Sequence, residues 1–143
     1  MMVYEKGSIM SKKQTRQEEF TEHLNHLVDE GVQECALAAK QKSIKNNATK
    51  KNYFSGCKLG FRLSRKVICL EQLERLLITY SKQEHDILKN IRESYKFENL
   101  FNKNISKANG SKVKILSKIK GIRSSINYVY DSLNILIMSQ KMK

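Results

Sequence analysis

Seven apolar residues near the end of the sequence, Ile115, Ile119, Ile122, Ile126, Val129, Leu133 and Leu136, follow one another in alternating steps of four and three without a miss. That alternation holds them on one stripe of an α-helix, and over three heptads it is the patterning of a coiled-coil seam. Isoleucine and valine dominate the stripe and favour strands in isolation. A strand, however, returns to the same face every second residue, and these positions do not fit that period. The stripe therefore demands other apolar helices to cover it, from the same chain or from a second copy. The 143 residues include no proline, so no helix is interrupted by a missing backbone donor. An all-α chain follows.

Three further helices are predicted upstream. Thr15-Arg16-Gln17-Glu18 is a capping-box pattern, in which hydroxyl and carboxylate satisfy free backbone N–H groups at a helix start. Phe20, Leu24, Leu27, Val28, Val32, Cys35 and Ala39 then mark one apolar face. Gly31 interrupts it at a cost of roughly 1 kcal/mol relative to alanine. The helix fades over Ser43–Asn52, where asparagine and threonine favour turns. A second helix is expected from about Lys51 to Tyr80, with Leu59, Leu63, Val67, Leu70, Leu73, Leu77 and Tyr80 inward. Ser81-Lys82-Gln83-Glu84 repeats the capping box and predicts a corner and a third helix carrying Ile87, Leu88, Ile91 and Tyr95, with a kink near Phe97–Asn99. Asn109-Gly110-Ser111 reads as the turn that opens the fourth. These elements predict one domain, an antiparallel bundle of about four helices over residues 13–143, with residues 1–12 disordered at a frayed N-terminus. A chain of this length buries roughly 70% of its unfolded surface, enough for an autonomous core.

The formal net charge is +13. Lysine and isoleucine are plentiful, a composition that an AT-rich genome produces without selection for binding. Such a bias spreads charge evenly, and here it is segregated. Residues 1–40 carry five basic and seven acidic side chains, whereas residues 41–70 carry eight basic and none acidic. Residues 71–110 are nearly balanced at seven and six, and residues 111–143 hold seven and one. On a helix, Lys58, Arg62, Arg65 and Lys66 share one face, and Leu59, Leu63 and Val67 lie about 100° away from it. Lys50, Lys51 and Tyr53 lead into that face. Arginine is scarce in the chain, and two of the four charges are arginine, whose rigid fork suits phosphate oxygens. A second cluster, Lys114, Lys118, Lys120 and Arg123 with Lys112, falls at the expected start of the fourth helix, where the helix dipole disfavours cations. In an up-down bundle the starts of the second and fourth helices lie at the same end, so the clusters are expected to form one patch. The competing reading is a solvated face without a partner.

The signals for catalysis are weak. His23 and His26, near Glu22, Glu30 and Cys35, lack the four-residue spacing of helical metal pairs and read as a solvated acidic surface. Cys35, Cys57 and Cys69 match no zinc or redox spacing and read as reduced, inert thiols. Gly56-x-x-x-Gly60 lacks the ending of a phosphate loop, and Glu71 and Glu74 beside Arg75 read as surface ion pairs. Phe54 and Phe61 suit a core, and Tyr53 is the better candidate for stacking on a base. A helix-turn-helix over Tyr53–Tyr80 is conceivable, without distinct turn chemistry.

No catalytic residue, metal ligand or cofactor is therefore expected. The leading expectation is a small non-enzymatic, cytoplasmic protein without a transmembrane segment that uses its basic surface on nucleic acid, a ribonucleoprotein or another polyanion. The rival is a protein–protein interaction module, an adaptor, inhibitor or effector, with a protein partner or a homodimer joined through the fourth helix. Peripheral attachment to an anionic membrane is the third reading.

Overall fold

The computed structural model describes residues 15–95 and 103–141. The expected disorder of residues 1–12 and the kink at Phe97–Asn99 lie outside them. The described residues form five helices and no strand, in one compact arrangement: α1 (Arg16–Ala39), the single turn α2 (Lys42–Lys45), α3 (Ala48–Ser64), α4 (Leu70–Tyr95) and α5 (Lys103–Lys141). Thr15 caps α1 as its sequence predicts, its hydroxyl accepting the Glu18 N–H at 3.1 Å. Asn47 does the same for α3, its side-chain oxygen accepting the Lys50 N–H at 3.1 Å.

Three boundaries differ from the sequence reading. The expected helix over Lys51–Tyr80 breaks at residues 65–69, and Ser81 sits inside an uninterrupted α4 rather than at a corner. The break is held by two glutamine side chains, one in the first turn of α4 and one from α1. The Ile68 N–H donates to Gln72 Oε1 at 2.8 Å, and the Ile68 carbonyl accepts from Gln17 Nε2 of α1 at 3.1 Å. At Ser81 nothing competes with the helix: Leu73, Leu77, Tyr80, Ile87 and Ile91 keep one period across it. Likewise Asn109-Gly110-Ser111 opens no helix, because α5 already runs through it from Lys103.

Helix α5 is the axis on which α1, α3 and α4 pack. Against α4 it runs antiparallel: Tyr130 donates to Glu74 at 2.7 Å, Arg123 pairs with Glu84, and Lys112 donates to Asn90. Helix α1 runs antiparallel to α3, Asp29 pairing with Arg65 and Gly31 meeting Phe61. The closest pair, α3 and α5, runs parallel. The Ser117 hydroxyl donates to the Thr49 carbonyl at 2.7 Å, and two turns further the Ser125 hydroxyl donates to the Cys57 carbonyl at 2.6 Å. Small residues recur every fourth position on both sides of this seam, Gly56, Gly60 and Ser64 on α3 and Ser117, Gly121 and Ser125 on α5. A β-carbon on Gly56 would strike the Lys118 carbonyl, and one on Gly121 the Tyr53 carbonyl. The backbones touch.

The heptad stripe faces inward. Ile119, Ile122, Ile126, Val129 and Leu133 are buried with Leu24 and Val28 of α1, Phe61 of α3 and Leu73 of α4. Ile115 departs from the expectation at 51% exposed, and Leu116 is buried in its place. Thr49, in the first turn of α3, is level with Ser117, so Ile115 projects beyond the start of α3.

Candidate nucleic-acid interface

The seam with α5 fixes which way α3 presents its charges. Gly56 and Gly60 face α5, and at 3.6 residues per turn Lys51, Lys58 and Arg62 fall about 160–180° round the helix from Gly60. Lys51 and Arg62 are exposed and Lys58 is partly exposed, in a line about 16 Å long at 1.5 Å per residue. None of the three, nor Lys50 or Lys66, makes an ion pair among the described residues. Lys50 and Lys51 lie in the first turn of α3, which has no acidic residue. The dipole there favours anions, so two cations sit at a helix end suited to a bound anion.

The face expected from Lys58 to Lys66 is cut short. Helix α3 ends at Ser64, which places Arg65 at its C-cap and Lys66 in the turn beyond. Arg65 is turned to α1 by its ion pair with Asp29, so it is engaged where Arg62 is not. Lys66 is exposed beside the turn.

The second cluster is differently placed. Lys114, Lys118 and Lys120 are exposed, but α5 begins at Lys103, so they lie well inside the helix and the dipole argument does not apply to them. Arg123 reaches across to α4, paired with Glu84, and its Nε is buried without a hydrogen-bond partner. The parallel register brings Lys50 and Lys51 level with Lys118 at the start of α3, in accord with the seam at Thr49 and Ser117. The Lys51–Lys58–Arg62 line, however, lies on the side of α3 turned away from α5. The clusters adjoin at one end and diverge along their lengths. Tyr53 is half-buried against the core, edge-on to Phe54 with ring centroids 5.6 Å apart, so only part of its ring is available for stacking.

The remaining candidates separate. His26 pairs with Glu30 at 3.0 Å on an exposed face. His23 instead lines a cavity of about 230 Å³ with Arg16, Glu19, Phe20, Leu133, Leu136 and Ile137, where the start of α1 meets the end of α5. Glu74 accepts from Tyr130 rather than pairing with Arg75. No group of three or more His, Cys, Asp or Glu among the described residues is placed to hold a metal ion. No described helix is long and apolar enough to cross a membrane. One arrangement escaped the sequence: Cys35 and Cys57 lie together in the buried cluster. Their separation of 22 residues carries no motif, and only the register of α1 on α3 joins them.

The chain matches no protein-family model, and comparison with curated proteins and with solved structures likewise finds no match.

Proposed function

We propose that this is a non-enzymatic helical protein that binds nucleic acid through the outer face of α3. The observation that carries the reading is the line Lys51, Lys58 and Arg62, on a helix with no acidic residue and without an ion pair among the described residues, extended by Lys50 and Lys66. A helix anchored from behind by a backbone-to-backbone seam presents it, so the spacing of the cations along α3 is set by the fold. Contacts of this kind neutralise phosphates and carry no base readout, so binding is largely independent of sequence. Lys118 at the adjoining end extends the surface; Arg123, held by Glu84, does not.

The interaction-module reading has less to stand on. The stripe that would join two copies through α5 is buried in the chain's own core from Ile119 to Leu133. What it leaves a protein partner on α5 is scattered along the helix, Val113 and Ile115 before the buried stretch, Tyr128 beside it and Ile135 and Met138 after it.

Titration of single- and double-stranded oligonucleotides across a range of salt concentrations tests the proposal. Four phosphates contacted by Lys51, Lys58, Arg62 and Lys66 give a logarithmic slope of about −3.6 on duplex DNA, at about −0.9 per phosphate. The triple change Lys51→Glu, Lys58→Glu and Arg62→Glu should nearly abolish binding while leaving the melt intact, since none of the three is fully buried or ion-paired. Arg65 is left out of that set because losing it also breaks the contact with Asp29. A native protein that binds neither oligonucleotide at low salt refutes the reading.

A further inference from the structure

Cys35 and Cys57 face each other across the α1–α3 contact. One turn before Cys35, Gly31 takes the ring of Phe61, which lies one turn after Cys57. Because the helices are antiparallel, the next turn along α1 lies opposite the preceding turn of α3, and the two cysteines stand there. They are 8% and 7% exposed and belong to one buried cluster. The Cys35 thiol lies beside the Cys57 sulfur, with Tyr53 and Ser125 close by and the Ser125 hydroxyl donating to the Cys57 carbonyl at 2.6 Å. Two thiols facing each other across helices packed as closely as Gly31 on Phe61 meet the first requirement of a disulfide, which tolerates Cα separations of about 4.4–6.8 Å. Cys69 is apart from them, partly exposed in the turn before α4. We infer that Cys35 and Cys57 are a disulfide-forming pair, closed by a small peroxide into a covalent link between α1 and α3.

The Cys57 sulfur, with Tyr53 and Cys35 beside it, is the attacking atom. Its thiol gives up a proton and the thiolate attacks one peroxide oxygen. The O–O bond breaks, the departing hydroxide takes up the proton as water, and Cys57 is left as a sulfenic acid. Cys35 then loses its own proton and attacks the Cys57 sulfur. The S–O bond breaks, and the second hydroxide leaves as water with that proton. Two electrons pass from the sulfurs to the peroxide, and two waters are released. Burial pushes the Cys35 thiol up to about 11 and raises that of Cys57 as well, so the reaction is slow in the closed fold and selects an oxidant small enough to enter. The neighbouring thiol captures the sulfenic acid before further oxidation. Once formed, the link holds acidic α1 against α3 and keeps Asp29 on Arg65.

The test uses the full chain carrying Cys69→Ser, treated with hydrogen peroxide under native conditions and mapped by peptide mass spectrometry without reduction. The expected result is a single-chain species with the Cys35 and Cys57 peptides joined and two hydrogens lost. Its melting temperature rises by on the order of 10 °C and returns on reduction with a dithiol. Adding Cys35→Ala should remove the joined peptide and leave Cys57 carrying oxygen. Three results overturn the inference: links only between chains, oxygen on Cys35 or Cys57 of the intact pair without a link, or both cysteines unmodified under peroxide that fully oxidises the exposed Met138.

Discussion

Arg62 and Arg65 are three residues apart in one basic run, and the sequence gives no reason to treat them differently. The fold does. Arg62 points to solvent from the outer face of α3, while Arg65, at the helix end, closes an ion pair with Asp29 of α1. Both members of that pair are substantially exposed, so it contributes about 0–1 kcal/mol to stability. Its larger consequence is electrostatic, since Asp29 occupies an arginine that would otherwise face phosphates. Replacing Asp29 by Asn should therefore tighten binding to duplex DNA. The salt slope should steepen by about 0.9, the value of one further phosphate contact, and the melt should move little. A binding titration at several salt concentrations, run beside a thermal melt, reads both. An unchanged slope with unchanged affinity would mean that Arg65 takes no part even when released. The charge segregation was plain in the sequence, and so was the outward direction of Lys58 and Arg62, because both follow from composition and the helical period. The engagement of Arg65 was not, since it depends on the register of α1 on α3.

At the scale of the helices, two glycines of α5 give the same substitution opposite signs. A β-carbon on Gly121 would meet the Tyr53 carbonyl and the Cys57 nitrogen of α3, whereas one on Gly110 would meet nothing within 4 Å. Gly110→Ala should stabilise the protein by about 0.5–1 kcal/mol, the difference in helix propensity. Gly121→Ala gains that same propensity but forces two backbones apart, at a net cost of about 2–3 kcal/mol. Urea unfolding of the two variants separates them. Equal shifts would show that α3 and α5 do not touch at this seam. The seam explains why element boundaries were harder to read than element type. Helical periods were legible throughout, and Thr15 marked its helix start correctly. In the sequence, Gly56 and Gly60 read only as a phosphate loop without its ending, and Gly110 reads as a turn. Glycine tolerates a turn and also permits close packing, and sequence alone does not tell these apart. The corner at residues 65–69 was hidden for a related reason: Gln17 and Gln72 hold Ile68, and glutamine is not a turn former.

For the molecule as a whole, the stripe on α5 allowed two outcomes that sequence could not separate, a core within one chain or a seam between two. In the structure it is a core. Ile126 and Val129 are fully buried among side chains from α1, α3 and α4, so the stripe from Ile119 to Leu133 leaves no face to a second copy. Two consequences follow, and they are tested together. The melting temperature should not vary with protein concentration, because association that stabilised the fold would raise it by mass action. Ile126→Asp should abolish the cooperative melt, since it places a carboxylate in the fully buried apolar cluster, a loss of more than about 4 kcal/mol. If the stripe instead joined two chains, the native melt would rise with concentration. The same substitution would then yield a folded species of half the mass by light scattering. A concentration-independent melt combined with an unfolded Ile126→Asp chain places the stripe inside one molecule, and the exposed face of α3 would then belong to a monomer.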